Sequence, residues 1–305
     1  MKIYDCFPFY NELEVLELRL SLLYPYVDHF VLAESTVTHR GDPKPLYFYE
    51  NREKFAQYMD KIIYVRLNCK TKDTHPNDWS IENAQRDILT DGLKNCEPDD
   101  IIIVSDADEI PSPGIIQGLR NYSLSSSKNL IKEHRIFRKR KHKLKAYFKY
   151  FKLLQLTHSD TKINDILNIS PLALHQKHFY YYMNNIYLYK WCGSVISFYK
   201  NMHSPQNLRD LRRRLPIVIN GGWHFSYMGG IDRILRKVNS VVDETPTATE
   251  NTQYNKEYIK QCLKNGTLIY KHQISNEKVF SQITVEEIGI KNMISFKEKY
   301  PYLFL

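Results

Sequence analysis

The first hundred residues alternate between short apolar runs and segments whose apolar positions repeat at helical spacing. Four strand-like runs occur at residues 2–7, 27–33, 62–67 and 101–104. A helix is predicted after Asn11, and its apolar stripe consists of Leu13, Leu16, Leu20 and Leu23. A second helix is predicted at residues 79–96. Strands that alternate with helices are typical of a parallel sheet covered on both faces, so we predict a doubly wound, mostly parallel α/β fold.

Beyond residue 120 the pattern changes. Tyr-rich strand-like runs follow at residues 179–182, 186–189 and 195–199, then an Arg-rich helix at 209–214, and a polar, mostly helical final segment. We expect one domain over residues 1–250, with residues 121–168 as a basic amphipathic insertion. Residues 251–305 are predicted to form a helical C-terminal extension packed on that domain.

The net charge of +9 comes from one segment. Residues 132–152 contain ten basic side chains and one acidic side chain, and the rest of the chain is balanced. Apolar residues at helical spacing within 132–154 predict an amphipathic helix, which either lies on an anionic membrane surface or packs on the domain. RNA binding is a weaker alternative because the aromatic residues follow no binding-module pattern, so nucleic acid is not expected as a partner.

Cysteine usage and hydropathy bear on the cellular compartment. The five cysteines form no Cys-x-x-Cys pair, and their odd number does not suggest a secreted disulfide framework. No apolar run is long enough for a membrane span, and no signal peptide is recognised. We therefore expect reduced thiols and a cytoplasmic location, with peripheral membrane contact through residues 132–154 as a further hypothesis.

Clustered carboxylates follow the apolar run at residues 101–104. Asp106 and Asp108 stand two residues apart, and Glu109 comes next. Functional groups of open α/β sheets gather at the carboxyl ends of strands. If the backbone stays extended, both aspartates point to one side and can bind a divalent cation and, through it, a diphosphate. The alternative is that these acids cap a following helix.

Several stretches together carry a resemblance to a known family. They are Tyr4 to Leu13 with Leu16, Arg19 and Leu20; Val27 to Ser35 with Thr38, Gly41 and Lys44 to Leu46; Gln85 and Arg86; Val104 to Pro111; and Gly222 to Ser226. In order and spacing these stretches resemble glycosyltransferase family 17. The resemblance implies a GT-A type fold, a UDP-sugar donor, Mn²⁺ or Mg²⁺, and inversion at the anomeric carbon.

The expected reaction is therefore metal-dependent, inverting transfer of N-acetylglucosamine from UDP-GlcNAc, in β linkage, to a hydroxyl of a glycan or glycolipid acceptor. Two alternatives stay open. One is a non-catalytic protein that binds nucleic acid or a membrane surface through the basic segment. The other is a different UDP-sugar or nucleotide transferase that uses the same acidic cluster.

Three residues are predicted to hold the metal. Asp108 is the first candidate for a direct ligand, and Asp106 is either a second ligand or a contact to the ribose. His224 follows two glycines that allow close approach to a ligand, and the GT-A resemblance implies a late histidine at the metal or diphosphate. The alternative for His224 is a structural histidine, and its neighbour Trp223 is either a core residue or a sugar platform.

Five further residues are predicted to bind the donor. Arg86 either binds the diphosphate or pairs with the glutamate one helical turn before it. Lys44 is assigned to the diphosphate or to the surface, and Glu34 to uracil or ribose. Pro8 and Phe9 are expected to form a wall for the base.

Inversion in one displacement requires a carboxylate base for the acceptor hydroxyl. Glu244 and Asp232 are the candidates, because both follow the Trp-His motif. Glu244 is preferred on the family resemblance, and the alternative for each is a surface acid.

Overall fold

The computed structural model describes residues 1–71, 78–125, 130–131, 161–242, 255–269 and 279–305. The strands in these ranges are β1 (Ile3–Phe9), β2 (His29–Ser35), β3 (Ile62–Leu67), β4 (Ile101–Val104), β5 (Glu109–Pro111), β6 (Leu130–Ile131), β7 (Leu172–Tyr180), β8 (Asn185–Tyr187), β9 (Trp191–Phe198), β10 (Ile217–Val218), β11 (Gly222–Ser226) and β12 (Phe280–Gln282). The α-helices are α1 (Leu13–Leu23), α2 (Tyr47–Asn51), α3 (Ser80–Asp87), α4 (Pro113–Arg120), α5 (Ile163–Leu167), α6 (Pro205–Asp210), α7 (Ile231–Ser240), α8 (Lys256–Asn265) and α9 (Met293–Lys299).

The sheet has two halves that join at β4. Its main path runs β12-β8-β7-β9-β4-β1-β2-β3. Strands β4, β1, β2 and β3 are parallel, whereas β9, β7, β8 and β12 each run antiparallel to their neighbour on this path. Strand β11 lies parallel to β7 and antiparallel to β5. The expected α/β class is confirmed.

Helices cover both faces of the sheet, as the apolar run in β4 predicts. Ile101 and Ile103 face the larger core together with α1, α4 and α5, while Ile102 and Val104 face the second core. All four side chains are fully buried. On the second face, the short 3₁₀ helix Ile88–Leu93 and helix α6 pack against the sheet.

Most of the predicted elements of the first half are present. Strands β3 and β4 have the predicted bounds, and β1 and β2 are shifted by one or two residues. The predicted helix at 79–96 is instead α3 followed by the 3₁₀ helix Ile88–Leu93.

The second half differs more from the sequence pattern. Strand β7 begins seven residues before the Tyr-rich run that predicted it, and the C-terminal segment supplies strand β12 as well as helices α8 and α9. Helix α5 lies within the predicted insertion, yet it packs in the larger core. The basic residues 132–160 lie outside the described part of the chain, so the insertion and its membrane contact stay predictions.

A buried ion pair links α1 to the segment that follows β4. Arg19 and Asp5 are both fully buried, and the guanidinium donates to the two carboxylate oxygens of Asp5 at 2.8 and 2.5 Å. The remaining N–H groups donate to the Ser105 hydroxyl (2.5 Å) and to the carbonyl oxygens of Asp106 (2.9 Å), Ala107 (3.2 Å) and Glu109 (2.9 Å). Arg19 thereby fixes the backbone of residues 105–108, which we call the acidic loop.

Within the described ranges, every helix is too short or too polar to cross a lipid bilayer.

Replacing Arg19 with methionine should lower the free energy of unfolding by about 3–5 kcal/mol, because it leaves the Asp5 carboxylate buried without a partner. Urea denaturation monitored by circular dichroism measures the loss. The matched control is Lys94→Met, because the Lys94 side chain is 73% exposed in its pair with Asp91. Its effect should stay below about 1 kcal/mol. Equal stability losses in the two variants would contradict this role of Arg19.

Candidate functional site

A cavity of about 1130 Å³ lies beside the acidic loop. On one side it is lined by Pro8 and Phe9 at the end of β1. On the other side it is lined by residues of β7, β9 and β11. The acidic loop follows β4, where the parallel and antiparallel halves of the sheet meet, so its side chains lie between the two sides of the cavity.

The acidic loop turns instead of continuing the strand. The backbone N–H of Glu109 donates to the carbonyl oxygen of Asp106 at 3.0 Å. Strand β5 follows directly, and α4 begins only after Ser112. The aspartates therefore do not cap a helix, and their side chains bind different partners.

Asp106 is held by two arginines. Its Oδ1 accepts from Arg86 at 2.9 Å, and its Oδ2 accepts from Arg209 at 2.6 Å. Burial raises the pKa of Asp106, but the charges of Arg209 and Arg86 outweigh burial and lower the pKa below its usual value. Arg86 also donates to Glu82 at 2.9 Å. It therefore forms the predicted ion pair within α3 and at the same time binds the acidic loop.

Glu109 anchors the loop to β9. Its side chain is fully buried and accepts from Arg209 at 2.6 and 2.7 Å and from the indole N–H of Trp191 at 2.5 Å. A Cβ at Gly193 would lie 2.5 Å from the Glu109 carboxyl carbon, so this approach requires glycine. Both carboxylate oxygens of Glu109 therefore accept hydrogen bonds from neighbouring side chains, and the role of Glu109 is structural.

Asp108 lies among a different set of groups. Its Oδ2 accepts from Lys237 of α7 at 2.8 Å, and its Oδ1 is 3.5 Å from His224 Nε2 of β11. Burial alone would raise the pKa of Asp108. The neighbouring Lys237 and His224 lower this pKa by more than burial raises it, so the net change is downward. Burial lowers the pKa of Lys237, but Asp108 and then Glu12 outweigh burial and raise it.

The predicted three-residue metal site is only partly assembled. Two ligands of one cation, each about 2.1 Å from it, lie about 3–4 Å apart. The 3.5 Å separation of Asp108 Oδ1 and His224 Nε2 fits such a pair. Both oxygens of Asp106 instead bind arginines, and no group of three His, Cys, Asp or Glu side chains converges in a metal-binding arrangement within the described ranges. Asp108 and His224 are therefore the two predicted ligands whose spacing fits a shared cation.

An aromatic cluster stands behind His224. The rings of His224 and His178 stack with centroids 4.5 Å apart, and Trp191 lies 4.7 Å from His224. His178 Nε2 and His224 Nδ1 are buried without a hydrogen-bond partner. Burial, and then the neighbouring His224, lower the pKa of His178 well below its usual value. His178 is thus a neutral ring that supports His224 from the adjacent strand.

The predicted donor residues have different positions. Pro8, Phe9, Arg86 and Lys44 line the cavity. The Lys44 ammonium is nearly buried, 3.8 Å from Glu34. Glu34 is fully buried and is not among the lining residues, because its carboxylate accepts from the backbone N–H groups of Phe48 and Tyr49 in α2. Glu34 therefore secures α2 and does not face the cavity.

Of the two predicted acceptor-side residues, the structure describes only Asp232. Asp232 is 76% exposed, pairs with Lys256 at 2.7 Å and does not line the cavity. Glu244 lies outside the described residues. Trp223 is a core residue whose indole N–H donates to the carbonyl oxygen of Ile288 at 2.7 Å.

Three residues of the site were not anticipated from the sequence: Arg209, Lys237 and His178. Arg209 lies in the predicted Arg-rich helix, where several arginines looked equivalent. Lys237 lies beside the buried apolar positions Ile234 and Val238 of α7, and that helical pattern was the available signal.

The family resemblance is confirmed for the first part of the chain. Residues 1–130 match the model of glycosyltransferase family 17. Beta-1,4-mannosyl-glycoprotein 4-beta-N-acetylglucosaminyltransferase from Homo sapiens is 36% identical over 118 residues, and the Mus musculus protein is 35% identical. Each match covers 37% of this chain and 22% of the relative, so the chain aligns with about a fifth of the curated relatives' length.

A structural neighbour is the mannosyltransferase PcManGT from Pyrobaculum calidifontis, solved in complex with GDP-Man and Mn²⁺. The TM-score is 0.35 at 8% sequence identity, and the alignment covers 99% of this chain and 84% of the neighbour.

Stability should depend on acid pH through Asp108. The pKa of Asp108 is lowered in the folded protein, so its ion pair contributes fully above the unfolded-state pKa of about 3.9 and is lost as pH falls toward the folded-state pKa. The free energy of unfolding of the wild type should therefore fall more steeply below about pH 4.5 than that of Asp108→Asn. Urea denaturation from pH 7 to pH 3 measures both curves, and parallel curves would contradict the assignment.

Proposed function

Residues 1–130 match glycosyltransferase family 17, and from this match and the geometry of the cavity we propose that the protein is an inverting glycosyltransferase with a nucleotide-sugar donor. The observation that carries the proposal is the meeting of Asp108 and His224 in a large cavity at the end of β4. A strand end with a carboxylate, an imidazole and several cationic side chains suits a diphosphate.

The metal belongs to the proposal. Asp108 and His224 would hold Mn²⁺ or Mg²⁺, with the donor diphosphate and water as further ligands. A bound divalent cation would stabilise the negative charge that develops on the leaving diphosphate. Asp106 does not join this pair, because its role is to fix Arg86 and Arg209 at the cavity.

The donor is proposed to be UDP-GlcNAc. The relatives are named N-acetylglucosaminyltransferases, which favours this sugar. Pro8 and Phe9 form an apolar wall for the base at the β1 side. Arg86 lines the same cavity, and its planar guanidinium suits phosphate oxygens. Glu34, turned away from the cavity, does not bind the nucleotide.

The acceptor is proposed to be a glycan or glycolipid. Tyr187, Tyr189 and Trp191 line the cavity on the side of β8 and β9, and Tyr189 is 57% exposed. Binding sites of this kind combine aromatic walls with a few polar groups, and these rings offer faces for an acceptor sugar. The acceptor hydroxyl would approach Asp108 and His224 from this side.

Glu244 is the proposed base. In a single displacement the base takes the proton of the acceptor hydroxyl, the acceptor oxygen bonds to the anomeric carbon, and the electrons of the broken bond leave with the diphosphate. Glu244 follows α7, which carries Lys237 into the site. Asp232 is at the opposite end of α7, paired with Lys256, and is the weaker candidate.

We also propose the domain organisation given by the sequence pattern. Residues 1–250 would form the catalytic unit, residues 121–168 a basic insertion, and residues 251–305 a C-terminal extension that shares its core. Contact of residues 132–154 with an anionic membrane would hold the protein at a surface that can contain a glycolipid acceptor.

Replacing Asp108 with alanine should reduce transfer at least about 100-fold, because the leaving diphosphate loses its charge stabilisation. Thermal unfolding against UDP-GlcNAc, UDP-GalNAc, UDP-glucose and GDP-mannose, each with and without Mn²⁺, measures donor binding. The wild type should show its largest Mn²⁺-dependent stabilisation with UDP-GlcNAc, and Asp108→Ala should lose it. The control Asp91→Asn removes a half-exposed surface charge and should behave like the wild type. Full activity of Asp108→Ala would refute the site.

Glu244→Gln should lose transfer by about 100-fold or more while it keeps the Mn²⁺-dependent stabilisation by UDP-GlcNAc, because a base acts on the acceptor and not on the donor. Initial transfer rates at saturating donor, measured from pH 5 to pH 9, separate loss of the base from loss of donor binding. Asp232→Asn is the parallel variant. If Asp232→Asn loses transfer and Glu244→Gln does not, Asp232 is the base and the assignment to Glu244 is wrong.

A further inference from the structure

Lys237 occupies the centre of the site, although the proposed reaction assigns it no task. Its ammonium lies 2.8 Å from Asp108 Oδ2 and 3.5 Å from Glu12 Oε1. The side chain is 25% exposed, and the ammonium lies 5.3 Å from the centre of the Tyr227 ring. Asp108 therefore has a cationic partner before any ligand enters.

The negative charges of two neighbouring carboxylates are also balanced by cationic side chains. Asp106 is bound by Arg86 and Arg209, and Glu109 is bound by Arg209. A divalent cation that approaches Asp108 and His224 thus finds Asp106, Asp108 and Glu109 already bound by cationic side chains. It also approaches the Lys237 ammonium, and two cations within a few ångströms repel each other strongly in a partly buried site.

A donor diphosphate changes this balance. It brings negative charge to the cation, and its oxygens are alternative hydrogen-bond acceptors for the ammonium. Lys237 has a flexible four-carbon stem, so it can exchange a carboxylate oxygen for a phosphate oxygen more easily than the fixed forks of Arg86 and Arg209.

We propose that Lys237 makes binding of the divalent cation depend on the donor diphosphate. Without nucleotide, Lys237 opposes the cation at Asp108. With nucleotide, the diphosphate relieves this opposition and cation and nucleotide bind together. This inference rests on the proposed function. Because binding linkage is reciprocal, the nucleotide gains the same factor in affinity from the cation as the cation gains from the nucleotide.

Titration of Mn²⁺, followed by the electron paramagnetic resonance signal of the free ion, tests the proposal with and without UDP. The wild type should bind Mn²⁺ at least about 10-fold more tightly with UDP than without it. Lys237→Gln should bind Mn²⁺ without nucleotide about 10-fold more tightly than the wild type, and UDP should add less. Lys237→Arg keeps the charge and should keep the weak nucleotide-free binding.

Arg236→Gln is the matched control, because it removes an exposed positive charge from the same helix and should leave Mn²⁺ binding unchanged. Asp108→Asn should abolish Mn²⁺ binding, both in the otherwise wild-type protein and in combination with Lys237→Gln. Circular dichroism verifies that each variant is folded.

The proposal is overturned if Lys237→Gln binds Mn²⁺ without nucleotide no better than the wild type, or if UDP does not tighten Mn²⁺ binding to the wild type. Isothermal titration with UDP distinguishes these results from failure of the proposed function. If the wild type binds no UDP at any Mn²⁺ concentration, the donor assignment fails. The nucleotide-free comparison of wild type with Lys237→Gln still decides whether Lys237 opposes the cation.

Discussion

The position of the acidic loop depends on one buried ion pair. Burial of a guanidinium and a carboxylate is costly unless every polar atom finds a partner. Arg19 meets this condition by binding Asp5 on one side and three backbone carbonyl groups of the loop region on the other. Those carbonyls face the core where the strand pairing of β4 ends. Without Arg19 each of these carbonyls would lose a charged donor, so helix α1 and the loop form one unit.

The fixed loop separates the tasks of its two aspartates. Alternation along a strand would place Asp106 and Asp108 on one side, but the turn at Asp106 breaks the alternation. Asp106 points to Arg86 and Arg209, and Asp108 points to Lys237 and His224. One aspartate therefore organises the arginines of the cavity, and the other lies with His224 where we propose that a cation binds.

The sequence predicts the local parts of this structure better than the long-range parts. Strands β3 and β4 were predicted with their bounds, because an apolar run buried on both faces is a local signal. Strands β10 and β12 have two and three residues, and their pairing with distant strands defines them, so no local pattern marks them.

The same distinction applies to the site. Asp108 is a candidate because it follows an apolar run, and His224 is a candidate because its neighbours match a family motif; the fold brings both to the cavity. Arg209 and Lys237 have the appearance of surface residues in polar helices, and only the fold brings them to the acidic loop. Glu34 illustrates the reverse error: an acid at a strand end was assigned to the ligand, but it secures the backbone of α2.

The cavity is therefore better prepared for an anion than its acidic loop suggests. Asp106 and Asp108 are already paired, and Arg212 and Arg213 also line the cavity, so the diphosphate of the proposed donor would meet several cationic side chains. Burial, and then neighbouring Arg209, lower the pKa of Arg212. Arg86 and Arg209 are held in place by Asp106 and Glu109, so they would need little rearrangement to bind the proposed diphosphate. Such preorganisation is a large source of electrostatic stabilisation in enzymes. In the proposed function, Asp106 and Glu109 thus serve the anion by holding its cationic partners.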